Sequence, residues 1–449
     1  MVQNKKQNIT PAKSMAISFL ILIIGGTFLL LLPFSSNHQV TFIDALFTST
    51  SACCVTGLAV VDTGTQWTLA GQIIILLLIQ FGGLGIMTFS TLGAYIIAGK
   101  MNVRNRQLIE DSLGGMHIPK LGKLLSGIVL GTLTFEMIGA LLLTLRFIKQ
   151  YPFFTALYHG IFHSISAFCN AGFALYPNSL ERYQNDITVN LVIMALIVTG
   201  GIGYWVLFDV IHLIKNHRRK LGYHSIIVIS TSAALILIGM VAILLLEWNN
   251  TLSHLALPYK VLNAAFQSIT PRTAGFNTIK IENLNNGSIM IIIILMLIGA
   301  SPGSCGGGIK TSTFAVIMAM IVSRINDQRQ VRLYKRGVPE QVISKSIAIL
   351  FFALFLLTAV IILMLMTEHP PGIPAPGRST FVEVVFEAFS ALGTVGLSMG
   401  LTPFLSLTGK IAIIFLMYLG RIGPLTIALA IATKKSLHIR YAEEQVWVG

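Results

Sequence analysis

The sequence predicts an all-α integral membrane fold: eight transmembrane helices in four pseudo-repeats, each a helix, a re-entrant loop and a second helix. Three observations carry that prediction. Of 449 residues, 54% are hydrophobic and only 11% are charged, whereas soluble domains carry about a quarter charged. Eight apolar runs approach or exceed the roughly 20 residues that a bilayer crossing needs. They cover 15–32, 70–98, 123–147, 187–214, 224–247, 288–323, 343–367 and 408–432. Between them, segments of matched composition recur at roughly 105–120 residues, the mark of an internal repeat.

The composition also excludes classes. An ordinary cytosolic enzyme and a disordered chain both fail on hydropathy. Four cysteines without a CxxC pair exclude a disulfide framework and a zinc ribbon. The adjacent Cys53 and Cys54 cannot bond to each other without strain. The first apolar run is longer than the roughly 7–15 residues of a secretory signal core, and no small-residue cleavage site follows it. It is read as a helix.

A net charge of +14 would fit nucleic acid if it were clustered. Instead the bases fall in short segments between spans: Lys5, Lys6 and Lys13; Lys100, Arg104, Arg106, Lys120 and Lys123; Lys215, Arg218, Arg219 and Lys220; Arg324, Arg329, Arg332, Lys335, Arg336 and Lys345; Lys434, Lys435 and Arg440. These are 21 of the 31 Lys and Arg residues. With eight spans they share one side, the cytoplasm by the positive-inside rule. Both termini then lie in the cytoplasm of a multi-pass plasma-membrane protein. Asp44, Asp62, Glu181, Asp186, Glu247, Glu282, Glu368, Glu383 and Glu387 take the other side. The basic charge reflects topology and lipid contact, with no nucleic acid partner.

Each outer segment holds a semi-apolar stretch that ends in glycine and is too short to span. The four run Phe47 to Gly57, Phe162 to Gly172, Phe266 to Gly275 and Phe386 to Gly396, each followed by Leu or Phe. The third is one residue shorter and contains Pro271 and Arg272. A second echo lies in the even-numbered spans: Phe81–Gly85, Thr199–Gly203, Cys305–Ile309 and Leu419–Gly423. The expected organisation is a cytoplasmic N-terminus (1–14), repeats at 15–122, 123–223, 224–342 and 343–433, and a cytoplasmic tail (434–449).

Irregular backbone at membrane depth is tolerated only inside protein or beside a wet cavity. A short helix that ends halfway leaves carbonyl groups without partners, and a dehydrated cation satisfies them. Four copies around one pore give rings of carbonyl oxygens, with negative helix C-terminal ends aimed at the ion. Glycine suits a strand that needs positive φ and close approach.

These residues resemble the superfamily of Trk, Ktr and HKT potassium transporters over almost the whole chain. The likeness is strongest to the membrane subunit of the bacterial Ktr potassium-uptake system, which shares the length, the short termini and glycine at all four positions. The resemblance implies a potassium-preferring selectivity filter. Its four strands would be Val55, Thr56, Gly57 and Leu58; Asn170, Ala171, Gly172 and Phe173; Thr273, Ala274, Gly275 and Phe276; and Thr394, Val395, Gly396 and Leu397. K+ would sit at their backbone carbonyls. Of these strands, only Thr394-Val395-Gly396 matches the opening of the potassium-channel TVGYG sequence, so fewer ordered ion sites are expected. Arg272, a cation beside a cation filter, is expected to face away from it, toward a carboxylate or a lipid headgroup.

The sixth span is interrupted by Gly299, Ala300, Ser301, Pro302, Gly303, Ser304, Cys305, Gly306, Gly307 and Gly308, then Lys310. No straight helix survives this, at about 1 kcal/mol per glycine and 3 per proline. The resemblance makes this loop, about 299–313, an intramembrane gate under the filter. Gly303 to Lys310 imitates a phosphate loop, but Ile309 stands where its lysine belongs and no strand precedes it. Gly299-Ala-Ser301-Pro-Gly303 imitates a nucleophile elbow. An intramembrane serine hydrolase using Ser301 and His163 is therefore the alternative function. Arg421 and Lys310 lie at membrane depth, where a charge faces a cavity or a partner. Arg421 is expected to present positive charge below the filter and hold the gate, or else to pair with Glu136.

The reading is a non-enzymatic potassium-uptake subunit, with Na+ as a second candidate ion and no cofactor in this chain. The resemblance further implies a homodimer on a soluble, nucleotide-binding regulatory ring, with the tail Val446–Gly449 near the dimer contact.

Overall fold

The computed structural model describes residues 11–85, 121–215, 220–368 and 380–423. The N-terminal ten residues, most of the basic 99–123 loop, residues 216–219 and the tail lie outside the described residues. So does the expectation that placed the tail at a dimer contact.

The described chain is helical apart from one small hairpin. The first unit comprises α1 (Pro11–Leu30), α2 (Phe42–Cys53), the single turn α3 (Thr63–Gln66) and α4 (Leu69–Leu84). The second comprises α5 (Leu121–Phe147), α6 (Phe153–Phe168), α7 (Ile187–Gly201) and α8 (Tyr204–Lys215). The third comprises α9 (Tyr223–Glu247), α10 (Leu257–Ile269), α11 (Asn286–Leu297) and α12 (Thr311–Ile325). Strands β1 (Arg332–Leu333) and β2 (Arg336–Gly337) then pair antiparallel. The fourth unit comprises α13 (Glu340–Thr367), α14 (Thr380–Gly393) and α15 (Leu407–Ile422).

Among the described residues, four helices are long and apolar enough to cross a membrane. They lie in α1, α5, α9 and α13, the odd-numbered spans of the sequence reading. The even-numbered runs are not uninterrupted helices, and glycine is the reason. The chain leaves α4 at Gly85 with φ 82° and α15 at Gly423 with φ 94°, a region that penalises any residue with a Cβ. α7 and α8 meet at 106° across Gly203, whose φ is 97°. Residues 298–310 separate α11 from α12. The third glycine echo, Cys305–Ile309, therefore sits in a loop and not inside a helix.

The helices start where the sequence supplies acceptors for their unpaired N–H groups. Thr68 accepts from Gly71 N at 3.2 Å and Ser406 from Gly409 N at 3.2 Å, the same cap in the first and fourth units. Two carboxylates clamp the end of a long helix to the start of the next apolar one. Glu247 accepts from Asn285 N at 2.8 Å and Ser288 Oγ at 2.5 Å. Glu368 accepts from Ser406 N at 2.9 Å and Ser406 Oγ at 2.5 Å.

In three units the short helix hangs from the long one by the same bond. Ser49 Oγ donates to Ile23 O, Ser164 Oγ to Glu136 O and Ser268 Oγ to Ile236 O, each at 2.7 Å. The approach requires glycine on the long helix. A Cβ on Gly26, Gly139 or Gly239 would lie 2.5 Å from the matching serine oxygen. Ala388 occupies the corresponding place in the fourth unit. The units then interlock in a cycle: α4 packs on α6, α7 on α10, α11 on α14, and α15 returns to α2. Lys410 and Asp44 reinforce that last contact at 2.8 Å.

Replacing Gly239 by Val should overpack the α9–α10 contact and cost about 1–3 kcal/mol. It is expected to lower the melting temperature of the detergent-solubilised protein. Gly25→Val should leave it unchanged, since a Cβ there meets nothing within 4 Å.

Candidate functional site

The end of each short helix turns into an extended strand through one repeated conformation. The residue two before each glycine has positive φ: Val55 at 56°, Asn170 at 59°, Thr273 at 71° and Thr394 at 48°. The glycines themselves stand at 93°, 70°, 77° and 94° for Gly57, Gly172, Gly275 and Gly396. For β-branched Val and Thr this geometry is strained by about 1–3 kcal/mol, and such strain persists only where neighbours enforce it.

The enforcing bonds come from the short helix. Thr56 N donates to Ser51 O at 2.8 Å, Ala171 N to Ser166 O at 2.7 Å and Val395 N to Ser390 O at 2.8 Å. In the third unit Ala274 N donates to Thr270 O at 2.9 Å. That loop is one residue tighter and absorbs the missing residue. The same hydroxyl residues add a second tie. Ser51 Oγ accepts from Gly57 N at 3.0 Å and Ser390 Oγ from Gly396 N at 3.1 Å. Ser166 Oγ donates to Phe173 O at 2.8 Å and Thr270 Oγ1 to Phe276 O at 2.5 Å. Sequence reasoning missed these four hydroxyls, although a Ser or Thr five or six residues before every glycine is a visible signal.

The four strands face one another in a closed cycle. A Cβ on Gly57 would strike Ala171 O, and one on Gly172 would lie 2.9 Å from Ala274 O. A Cβ on Gly275 would lie 2.5 Å from Val395 O, and one on Gly396 would strike Thr56 O. Each glycine thus abuts the peptide before the next unit's glycine, and the fourth abuts the first. The second glycine echo serves the layer behind. A Cβ on Gly82, Gly200 or Gly420 would strike the carbonyl of Cys53, Phe168 or Leu392 in the last turn of a short helix.

On one side of the ring a cavity of about 430 Å³ is lined by all four glycines and by Asp62, Glu181, Glu282 and Lys280. Three carboxylates against one ammonium favour a cation there. Burial pushes the Glu181 carboxyl above its usual range, opposed by Lys280 and by the hydrogen bond from Asn277.

On the other side lies the glycine-rich loop. Gly299 N donates to Ile309 O at 2.8 Å and Ala300 N to Gly307 O at 3.2 Å, closing the loop on itself. Gly307 N donates to Thr394 Oγ1 at 3.1 Å. A Cβ on Gly306 would strike Thr273 Oγ1. The loop therefore rests directly on two of the positive-φ residues. It also fills the break between α7 and α8: Ser301 N donates to Gly201 O at 3.0 Å, Cys305 N to Gly200 O at 3.2 Å, and Gly303 O accepts from Tyr204 N at 2.9 Å. Tyr204 OH and Cys305 Sγ lie 2.9 Å apart. Ser304 Oγ donates to Ser301 O at 2.7 Å. Pro302 and Gly308 complete the bend, Gly308 with φ 68°.

Arg421 reaches across three units. Its guanidinium donates to Cys305 O in the loop, to Gly82 O, and to Gly83 O at 3.0 Å. It satisfies carbonyls that the end of α4 leaves free. Lys310 Nζ donates to Gly306 O at 2.8 Å, which ties the loop's own base to its backbone.

Three expectations are corrected. Arg421 does not pair with Glu136, because the backbone carbonyls claim the guanidinium; Glu136 accepts from Gln80 Nε2 at 3.2 Å. Arg272 meets a hydroxyl and no carboxylate among the described residues. It is 8% exposed and donates to Ser232 Oγ on α9 at 3.0 Å, placed there by the shortened turn beyond the negative end of α10. Ser301 has no histidine partner among the described residues. Its hydroxyl meets Thr311 Oγ1 at 3.0 Å. The His163 ring is engaged by His159 O at 2.8 Å and Leu175 N at 3.3 Å. With Lys310 occupied, the phosphate-loop imitation has no free ammonium either.

A family model described as "TrkH: Cation transport protein" matches residues 4–438. The chain is 42% identical over 443 residues to the Ktr system potassium uptake protein B of Bacillus subtilis, covering 98% of this chain and 97% of that one. It is 34% identical over 456 residues to the potassium/sodium uptake protein NtpJ of Enterococcus hirae, covering 100% and 99%. Its fold is similar to the crystal structure of the potassium transporter TrkH from Vibrio parahaemolyticus. There the TM-score is 0.72 at 17% identity, over 95% of this chain and 86% of that one. The chain belongs to the TrkH family of cation transport proteins.

Thr394→Val should strip Gly307 N of its acceptor and cost about 1–3 kcal/mol, read as a lower melting temperature. Thr394→Ser keeps the oxygen and is expected to restore most of the loss.

Proposed function

We propose that this chain is the ion-translocating membrane subunit of a potassium-uptake system. K+ passes between the four strands at their backbone carbonyls. The observation that carries the reading is the closed cycle of Gly57, Gly172, Gly275 and Gly396, open to a carboxylate-lined mouth. A cation entering so narrow a passage sheds water, and rings of carbonyl oxygen compensate for that loss. The helix C-terminal ends behind each strand add negative potential. The relatives named above as potassium uptake proteins support the same ion.

The loop 299–310 is the gate in this reading. It rests against Thr273 and Thr394 on the side opposite the mouth, and it is held by Arg421 and by the α7–α8 break. A loop held mainly by hydrogen bonds, with Ile309 as its one large buried apolar side chain, moves at small cost. Arg421 also places fixed positive charge there, which shortens cation residence. A soluble regulator docks on the cytoplasmic side. The segment around β1 and β2 supports this with exposed Arg324, Arg329, Arg332, Lys335 and Arg336. The partner proposed is a nucleotide-binding ring beneath a homodimer. Both termini are cytoplasmic and the eight spans form four repeats.

Gly57→Ser should reduce the preference for K+ over Na+ by about tenfold or more in liposomes holding only this chain, since about 1.4 kcal/mol corresponds to tenfold. An unchanged ratio would remove the filter assignment. The same liposomes, assayed with and without external Na+, decide whether sodium drives the uptake.

Deleting residues 300–311 should raise basal K+ flux in protein that stays monodisperse. Reduced flux in such protein would contradict a gating role.

A further inference from the structure

The residue after the repeated phenylalanine of each short helix differs in all four units: Thr48, His163, Gln267 and Glu387. All four are buried. Each stands on its short helix, nine residues before the glycine in three units and eight in the shortened third.

Two of them grip the strand beyond the glycine. His163 Nε2 accepts from Leu175 N at 3.3 Å. Glu387 Oε1 accepts from Met399 N at 3.2 Å. Both N–H groups lie three residues after the glycine. The grip is itself held. His163 Nδ1 lies 2.8 Å from His159 O, which places the ring proton on Nδ1 and leaves Nε2 as the acceptor. The ring also stacks on Tyr176 at 4.9 Å between centroids. Glu387 further accepts from Ser398 Oγ at 2.5 Å and Thr402 Oγ1 at 2.8 Å, so its carboxylate collects three donors from one turn of chain.

The other two do not grip. Thr48 Oγ1 and both amide atoms of Gln267 are buried without a hydrogen-bond partner among the described residues. The third strand is tied sideways instead: Asn277 O accepts from Leu180 N at 3.0 Å and Asn277 N donates to Ser179 Oγ at 3.3 Å. These bonds run along the rim of the ring; from behind, the third strand beyond its glycine is met at a carbonyl and a side chain, Thr270 Oγ1 donating to Phe276 O and Thr278 Oγ1 to Asn263 Oδ1 at 2.6 Å.

The cyclic order of the strands is first, second, third, fourth, so the second and fourth lie opposite each other. We propose that His163 and Glu387 are positioning residues that anchor the conduit from behind along one diagonal, and thereby set its discrimination between monovalent cations. The first and third strands, whose N–H groups at Val60 and Thr278 receive no such side-chain grip among the described residues, supply the more compliant diagonal. A ring held on one diagonal resists closing around a smaller ion, while the other diagonal lets a larger one pass. The inference rests on the ion-conduction reading above.

The test compares four variants in liposomes, with the K+ to Na+ ratio and the KM for K+ measured separately from maximal flux. His163→Phe keeps the ring volume and removes the acceptor; Glu387→Leu does the same for the carboxylate. Each should lower the ratio roughly fivefold, the factor that about 1 kcal/mol of lost hydrogen bonding corresponds to. His163→Gln and Glu387→Gln retain an acceptor oxygen and should recover most of it. Thr48→Val and Gln267→Leu should leave the ratio unchanged. A merely structural role would lower the melting temperature of the anchored pair without moving the ratio, and that result overturns the proposal. Amide hydrogen exchange on the unmodified protein adds an arm that needs no variant to fold. Leu175 and Met399 should exchange more slowly than Val60 and Thr278, and equal rates would also overturn it. A Gly57→Ser protein with altered discrimination beside an unaltered His163→Phe would sink the anchor alone. An unaltered Gly57→Ser would sink the conduction reading itself.

Discussion

Everything in this molecule is arranged around a contact that leaves no room for a Cβ. Four peptide segments from separated parts of the chain approach until each glycine touches the carbonyl before the next. Such proximity is unfavourable by itself, since it crowds backbone dipoles and fixes Val55, Thr273 and Thr394 at positive φ. It persists because the layers behind oppose it. Helix caps, serine ties and the interlocking helix cycle each hold one strand at one radius. The arrangement is a closed ring, so a displacement of one strand is transmitted to its two neighbours.

The second layer shows how apolar helices are held at defined depths without a hydrophobic driving force between them. In a bilayer, close helix packing depends on small residues and interhelical hydrogen bonds. Gly26, Gly139 and Gly239 supply the first, and Ser49, Ser164 and Ser268 the second. The fourth unit uses Ala388 in place of the serine. It is also the unit that carries Arg421 into the loop and Lys410 onto Asp44.

The loop of the third unit belongs to all of its surroundings. It touches the strands through Thr273 and Thr394, the second unit through Gly200, Gly201 and Tyr204, and the fourth through Arg421. These are mainly bonds to backbone, so the sequence of the loop is constrained to be small more than to be specific. That explains why it imitates two soluble-enzyme motifs. Glycines that permit a nucleophile elbow or a phosphate loop also permit a tight turn between helix ends, and neither imitation brings a reactive partner with it.

Much was determined by the chain alone. Apolar length identified the membrane helices α1, α5, α9 and α13. The matched Phe-to-Gly stretches located all four ring glycines, because positive φ and close approach leave so few residue choices. The glycine echoes were legible as features but not as breaks. Local composition cannot say whether an apolar run with glycine at its middle stays straight, and Gly85, Gly203 and Gly423 end or bend helices that hydropathy drew as continuous. What only the tertiary structure decided was partnership. Arg421 meets carbonyls of the first and third units, Arg272 meets Ser232, and His163 meets Leu175 rather than Ser301. Each is a contact over a distance in the chain that no periodicity encodes. A buried charge or acceptor is satisfied by whichever group the fold delivers, and backbone groups leave no trace in the sequence.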